Sequence, residues 1–304
     1  GRASHMAHGA LLETLRVAAS GFGLATHWTV EADEEARSPT YDVHFSTNPG
    51  VPPDPLFPHI QQRVVQRRPM RTTPLTAAQR AAIEAAAGDE VAVQYFASFA
   101  KRLKVASLLW HNAEIRLTCP EAFAVHRDVI EWRARFSQDR IPEQAVGVDP
   151  MTARLMEWVM QSWERVQFFN RYLLGTVIPR VELDFLPAVL CGAHLLLRPR
   201  QAPAGLHDWV RLGMCLQRVW LTVAREGLHL QPELTPVIFR WYARADRRFS
   251  ADPALFASAH RLAQVFEDLA GCGPDEPFFF FCRVGVSSVP SSRSLRLERE
   301  RLMR

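Results

Sequence analysis

Four consecutive phenylalanines, at residues 278–281, lie within an apolar run that extends from residue 277 to residue 286. The run does not alternate between apolar and polar side chains, as a strand with one face in water would. Strands that are covered on both faces have this continuous apolar pattern. The run therefore predicts a central strand of a sheet that is covered on both sides.

Most of the remaining chain has helical patterns. Helices are predicted at residues 11–22, 60–68, 77–87, 101–117, 120–136, 151–174, 206–226 and 253–270, with a broken helical segment at 179–190 and one more helix after Pro236. Further strands are predicted at residues 27–30, 41–45, 91–97 and 191–197, the first two joined by an acidic turn at 33–39. Few strands and many helices predict an α+β fold, a central antiparallel sheet with helices on both faces.

At 304 residues the chain can form one large domain or two closely packed halves. Its composition, 48% hydrophobic and 22% charged, is typical of a soluble globular protein. No apolar run reaches the roughly 18 residues that would predict a membrane span. Residues 1–6, with the sequence GRASHM, are interpreted as an expression tag.

Charge and cysteine content limit the classes of partner. A net charge of +4 is too small to predict nucleic-acid binding, although it is compatible with an anionic cofactor. The five cysteines include no C-x-x-C pair, which predicts reduced thiols in a cytoplasmic protein. His111 and His126 lie on separate predicted helices with no carboxylate at ligand spacing, so no metal site is predicted.

The strongest candidate binding segment is basic. Arg67, Arg68 and Arg71 lie within five residues, just before a helix that Thr76 and Gln79 can cap. Each guanidinium can donate paired, charge-assisted hydrogen bonds, and three of them beside a turn would hold a phosphate dianion. The alternative is a solvated basic turn, which is what short basic motifs more often are.

The R-R-x-x-R spacing resembles the opening signature of the FMN-dependent nitroreductase family. In that family the arginine segment holds the flavin phosphate and the pyrimidine edge of the ring. A second segment, at residues 227–232, resembles the family's turn beside the isoalloxazine ring. By this resemblance the cofactor-binding residues there are Gly227, Leu228, His229 and Gln231.

A third segment, at residues 283–286, resembles the family's closing strand, and the basic tail after it resembles the phosphate-binding end. This resemblance adds Gly285, Arg293 and Arg296 to the expected cofactor-binding residues. The order and approximate spacing of the segments match over about residues 56–300. The implied organisation is a helix-and-hairpin extension at residues 7–55 and a nitroreductase-like flavin-binding domain at 56–304.

The resemblance implies an FMN-binding oxidoreductase that uses NAD(P)H to reduce a small-molecule acceptor, which the sequence does not identify. It also implies a homodimer, and the aromatic helix predicted at 151–174 would supply the interface. The polar segment at 138–150 would act as a lid over the flavin. No catalytic side chain is identified, because the flavin itself carries the redox chemistry.

Two departures from the family pattern leave alternatives open. The family's serine after the paired arginines is Pro69 here, and no Asn-Gln-Pro segment is present. The chain most resembles a divergent branch that includes two-repeat flavin-binding relatives and nitroreductase-like domains fused to adenylating domains. One alternative is therefore a flavin-binding or storage protein without turnover. The other is a degenerate interaction domain that serves an adenylating partner.

Overall fold

The structure, a computed structural model, describes residues 1–31, 39–48 and 50–303. The predicted acidic turn lies outside these residues, apart from Pro39. The helices are α1 (Arg2–Ser20), α2 (His59–Gln62), α3 (Ala77–Ala87), α4 (Phe99–Thr118), α5 (Pro120–Val129), α6 (Glu143–Val146), α7 (Pro150–Val159), α8 (Trp163–Tyr172), α9 (Val177–Pro179), a π-helical turn (Arg180–Phe185), α10 (Leu186–Val189), α11 (Leu206–Arg225), α12 (Thr235–Arg244), α13 (Pro253–Ala270) and α14 (Arg299–Leu302). The strands are β1 (Leu24–Glu31), β2 (Thr40–Thr47), β3 (Val91–Phe96), β4 (Ile130–Glu131), β5 (Phe136–Ser137), β6 (Ile141–Pro142), β7 (Ala193–Pro199), β8 (His229–Pro232), β9 (Phe280–Gly285) and β10 (Arg293–Ser294).

The chain forms two compact units, each built from separated stretches of sequence. The first unit consists of Gly1–Arg63, Thr76–Val93 and Leu197–Leu228, and the second of Val64–Leu75, Gln94–Leu196 and His229–Arg304. The division into a 7–55 extension and a 56–304 domain stays a prediction. Among the described residues, no helix is long and apolar enough to cross a bilayer.

The first unit is built on α11, against which α1, α2 and α3 pack. Val17, Leu56 and Leu221 form its buried centre. Strands β1 and β2 pair antiparallel, from Leu24 opposite Thr47 to Glu31 opposite Thr40, which confirms the two predicted strands. Residues 2–6, interpreted as a tag, are the first residues of α1.

Helix α3 begins with the predicted capping box. The Thr76 hydroxyl accepts a hydrogen bond from the Gln79 backbone at 3.1 Å, and the Gln79 side chain accepts one from the Thr76 backbone at 3.0 Å. We expect Thr76→Ala to lower the free energy of unfolding by about 1 kcal/mol, because the backbone N–H of Gln79 loses its acceptor, the Thr76 hydroxyl. Chemical denaturation would measure this, with Thr72→Ala in the exposed segment before the helix as the control. Equal stability of the two variants would contradict the expectation.

Four strands form a sheet with the order β3-β7-β9-β8, and most of its residues belong to the second unit. The first residues of β3 and the last residues of β7 belong to the first unit. All six residues of β9 are buried and the strand has a neighbour on each side, which confirms the predicted central strand. Its pairing with β8 is antiparallel. The α+β architecture is therefore as the sequence predicts.

The main core of the second unit lies between this sheet and three helices, α4, α10 and α13. Phe96, Phe266 and Phe281 are fully buried there, and their rings meet edge to face at 5.2–6.1 Å. Aromatic pairs in this geometry stabilise a core beyond the area that they bury. Helices α4, α12 and α13 build a second cluster around Ile115 and Phe239.

Three predicted helices differ from the structure. The helix predicted at 60–68 stops at Gln62, because Val65 instead pairs with Leu230 in a β-bridge. The helix predicted at 120–136 stops at Val129, because Ile130 pairs with Ile141. The single helix predicted at 151–174 is two helices, since the chain breaks after Val159 and the Ser162 side chain caps α8.

Candidate functional site

The segment that carries the three arginines is extended and lies across one end of the sheet. The Gln66 backbone donates to the Leu230 carbonyl at 3.4 Å. The Met70 backbone donates to the Leu190 carbonyl at 2.8 Å, and that of Arg71 to the Val286 carbonyl at 2.9 Å. The β-branched Val64 and Val65 favour this extended backbone. The segment is thus held beside β8 and the end of β9.

The other two predicted segments are partners on adjacent strands. In the β8–β9 ladder, His229 lies opposite Gly285 and Gln231 lies opposite Arg283. The Arg283 side chain donates to the backbone carbonyl of Arg67 at 2.6 Å. Three segments that are more than 50 residues apart in sequence therefore meet at one place in the second unit.

Gly285 allows this close approach. A β-carbon at this position would lie 2.9 Å from the backbone nitrogen of Gly192 and 3.3 Å from the carbonyl oxygen of Arg71. Both neighbours are backbone atoms, which cannot move aside without breaking the sheet. Gly285 therefore allows β9, Gly192 and the arginine segment to pack closely, and its role in cofactor binding stays a prediction.

Only one of the three arginines faces inward. Arg67 is half-buried, donates to the Ala145 carbonyl at 3.3 Å and lines a cavity of about 230 Å³. Arg68 and Arg71 are exposed and do not line the cavity. The expected convergence of three guanidiniums does not occur within this segment.

Most charged groups of the cavity come from elements other than the arginine segment. It is bounded by α4, α5, α7, the π-helical turn and β8, and its ionisable lining residues are Arg67, Arg116, His126, Asp184, Glu233 and Arg283. Arg116 pairs with Asp184 at 2.9 Å and Arg283 pairs with Glu233 at 2.8 Å. Among the described residues, Arg67 has no carboxylate partner. The three guanidiniums outnumber the two carboxylates, which favours an anionic ligand.

The pKa values of these groups reflect burial and the neighbouring charges. Burial and the nearby Arg283 lower the pKa of Arg67. Burial raises the pKa of Asp184 against the opposing effect of Arg116. Burial, together with Arg116, lowers the pKa of His126 to about 4, so its imidazole is neutral at neutral pH.

Behind the cavity wall lies a buried ion network. His194 Nδ1 lies 2.7 Å from Glu233, and His194 Nε2 lies 2.9 Å from the Ala188 carbonyl, so both ring nitrogens donate. Burial alone would lower the pKa of His194, but the Glu233 carboxylate outweighs it and raises that pKa to about 10. Glu233 is therefore held between an imidazolium and the guanidinium of Arg283.

Three buried atoms of cavity-lining residues have no hydrogen-bond partner among the described residues. They are Oε1 of Gln231, an acceptor, and the two donors Nε of Arg116 and Nε of Arg283. Buried polar groups are almost always paired, so these atoms of the cavity lining could accept or donate a hydrogen bond to a ligand. His229 Nδ1, at the start of β8, is also buried and unpaired in the described part of the chain.

The remaining predicted residues are not among those that line the cavity. Gly227 and Leu228 follow α11 in the first unit, where Gly227 has a positive φ of 71°. Arg293 and Arg296 are exposed in the C-terminal segment, whose strand β10 pairs with β5. Of the ten predicted residues, Arg67 and Gln231 line the cavity.

The predicted lid is part of the cavity wall. Residues 138–150 include β6 and α6, and Ile141 and Val146 line the cavity beside the Arg67–Ala145 hydrogen bond. The ordered pairing of β6 with β4 shows that the segment has secondary structure of its own. Whether it moves during binding stays a prediction.

The cavity also includes residues that the sequence analysis did not select: Arg116, Asp184, Glu233 and Arg283. For Arg283 the sequence contained a signal. It is a charged residue within an otherwise apolar run, and a charged residue is rarely buried unless it is paired. The others come from separate helices and loops, and their spacing in sequence follows no motif.

A scan against protein-family models finds no match, and a search of the curated proteins finds none either. Among solved structures, the chain is similar to a nitroreductase-like family protein from Bacillus cereus, with 9% identity, 83% of this chain and 95% of that chain covered, and a TM-score of 0.41. It is similar to an FMN and NADPH-dependent nitroreductase from Sphigopyxis sp. strain HMH, with 15% identity, coverages of 81% and 96%, and a TM-score of 0.42. It is also similar to an iodotyrosine deiodinase bound to FMN and 3-iodo-L-tyrosine, with 11% identity, 80% of this chain and 95% of that chain covered, and a TM-score of 0.39.

These neighbours include nitroreductase-like proteins, the family that the sequence motifs resemble. At these identities and TM-scores the likeness is too loose to carry an argument about cofactor or substrate. The functional interpretation therefore depends on the residues of this chain.

Proposed function

We propose that this chain is an FMN-binding oxidoreductase of nitroreductase type that uses NAD(P)H to reduce a small-molecule acceptor. The observation that carries the proposal is the meeting of the three segments. The extended arginine segment, β8 and the end of β9 are joined through Arg283 and the Arg67 carbonyl. Each segment alone is a weak motif, but their contact makes one site.

The residues present fit a flavin mononucleotide. FMN carries an anionic phosphate and, on the pyrimidine edge of its ring, an N–H donor beside carbonyl acceptors. Arg67 offers a half-buried guanidinium without a carboxylate partner among the described residues, and Gln231 Oε1 and Arg283 Nε offer an unpaired acceptor and donor. When bound, FMN would supply the hydride and electron chemistry, while this chain binds and orients it.

The cavity of about 230 Å³ is smaller than the roughly 300–1,000 Å³ of typical ligand pockets. It would therefore enclose part of FMN. A second copy of the chain would complete the pocket in the proposed homodimer. Light scattering of the purified protein tests this arrangement, because a mass of 34.5 kDa at micromolar concentration would mean a monomer.

Purification tests the cofactor. The protein should be yellow, and the molecule released by denaturation should be FMN by mass and chromatography. Steady oxidation of NADPH with an added acceptor would distinguish the oxidoreductase from a flavin-storage protein. A colourless protein that does not bind added FMN would overturn the proposal and favour the interaction domain.

Arg67→Ala should weaken FMN binding roughly tenfold to a hundredfold. A charge-assisted hydrogen bond contributes about 1.5–3 kcal/mol, and about 1.4 kcal/mol corresponds to a factor of ten. Arg67→Lys should recover only part of the affinity, because lysine keeps the charge and loses the planar fork. Flavin-fluorescence titration at fixed salt measures all of these affinities.

Arg68→Ala is the matched control for that experiment. Arg68 is adjacent in sequence, exposed and absent from the cavity lining, so its loss should leave the affinity within about twofold. Equal losses for the two alanine variants would mean that the segment attracts FMN only through its general charge. The inward position of Arg67 would then have no special role.

A further inference from the structure

A second cavity of about 130 Å³ lies in the same unit, between α5, α7 and α8. Its lining is mostly apolar and includes the rings of Phe123, Trp163 and Phe169. We refer to it as the apolar chamber. Trp163 and Phe169 belong to the 151–174 segment that was predicted to supply a dimer interface, and that interface stays a prediction. The space is open at one side, where Leu155, Leu174 and Ile178 are exposed.

The apolar chamber and the charged cavity share a wall. Five residues line both spaces: Leu117, His126, Met156, Met160 and Pro179. Methionine side chains are flexible and adapt to different ligand shapes, so Met156 and Met160 form a wall that a ligand can displace. The two spaces are therefore adjacent parts of one site, apolar at one end and cationic at the other.

The cationic end has an unpaired donor. Arg116 forms its ion pair with Asp184 through Nη2, while its Nε is buried without a hydrogen-bond partner among the described residues. His126 lies beside it, and burial together with the charge of Arg116 keeps that imidazole neutral. A neutral imidazole can donate to a ligand oxygen without adding a second buried charge.

We propose that the apolar chamber and the Arg116–His126 end of the charged cavity bind an aryl alkanoate with a single ring. The ring would occupy the apolar chamber, and the carboxylate would accept from Arg116 and His126. The size sets the limit on the ring, because a space of about 150 Å³ accommodates one benzene molecule. The carboxylate would use Arg116 and His126, whereas the residues proposed for FMN are Arg67, Gln231 and Arg283 of the same charged cavity. Binding of the alkanoate does not require flavin.

Calorimetric titration of the unmodified protein tests the ligand class with three probes. 3-Phenylpropanoate should bind, its neutral amide should bind at least tenfold more weakly, and propanoate, which lacks the ring, should show no binding. Equal affinity of the acid and the amide would overturn the proposal that the cationic end binds the carboxylate. Equal affinity of 3-phenylpropanoate and propanoate would overturn the apolar chamber, and absence of binding by all three would overturn the whole proposal.

A matched pair of variants tests the location. Val159→Phe places extra volume in the apolar chamber and should weaken 3-phenylpropanoate binding tenfold or more. Val125→Phe is the same change at an exposed position of α5 outside the lining, and it should have no effect. FMN content should be the same in both variants, which separates this test from that of the flavin site. Unchanged binding by a folded Val159→Phe protein would place the ligand elsewhere and overturn the proposal.

Discussion

Glu233→Ala should lower the free energy of unfolding by about 3–5 kcal/mol, which is the usual cost of breaking a buried ion pair from one side. The carboxylate is buried and lies between His194 at 2.7 Å and Arg283 at 2.8 Å. Its removal leaves two cationic side chains close together in the interior. Denaturant unfolding at neutral pH would measure the loss.

Glu84→Ala is the control for this substitution, because Glu84 is exposed on α3 and alanine favours a helix. Its effect should stay within about 0.5 kcal/mol. Glu233→Gln separates charge from shape, since glutamine fills the space but cannot balance two cations. It should lose most of the same stability. A loss below about 1 kcal/mol in both Glu233 variants would show that the network is solvated.

Acidification from pH 7 to pH 4 should lower the stability of the native protein by about 3 kcal/mol more than that of His126→Gln. The pKa of His126 is about 4 in the folded protein, because of burial and the charge of Arg116, against 6.5 ordinarily. Between these values the unfolded chain binds a proton that the folded chain does not. Each pKa unit corresponds to about 1.4 kcal/mol, so the stability is present above pH 6.5 and is lost as the pH falls toward 4.

The comparison with His126→Gln is needed because carboxylates also titrate in this range. Both proteins should be measured by urea denaturation at several pH values, and the difference between their free energies is the quantity of interest. Parallel curves would contradict the prediction. They would mean that the imidazole is solvated in the folded protein and is not part of a buried wall.

Local signals were enough to predict much of the fold. The apolar run at 278–281 identified β9 as a central strand, and the Thr76–Gln79 spacing identified the start of α3. Both signals depend on residues close in sequence. The predictions failed where a residue distant in sequence determines the local structure. At Val65, for example, pairing with Leu230 ends the preceding helix. They also failed at Ser162, because a polar cap can divide a long apolar stretch into two helices.

The candidate site was only partly predictable for the same reason. Arg67 and Gln231 belong to short motifs and line the cavity. Arg116, Asp184 and His126 belong to none, and only the packing of α4, α5 and the π-helical turn brings them together. A sequence pattern can indicate which segment binds a ligand, but it does not show which of three neighbouring arginines faces inward.

The fixed position of the Glu233 carboxylate has a consequence for the entropy of ligand binding. A free arginine or glutamate side chain has about 1.5–2 kcal/mol of rotational entropy at room temperature. Glu233 is fixed by His194 and Arg283, and Arg283 is fixed again by the Arg67 carbonyl, so this freedom is lost when the chain folds. A ligand that contacts this wall therefore does not have to order it. The Arg67 side chain, held by one hydrogen bond to Ala145, keeps more freedom and can adjust to the ligand's shape.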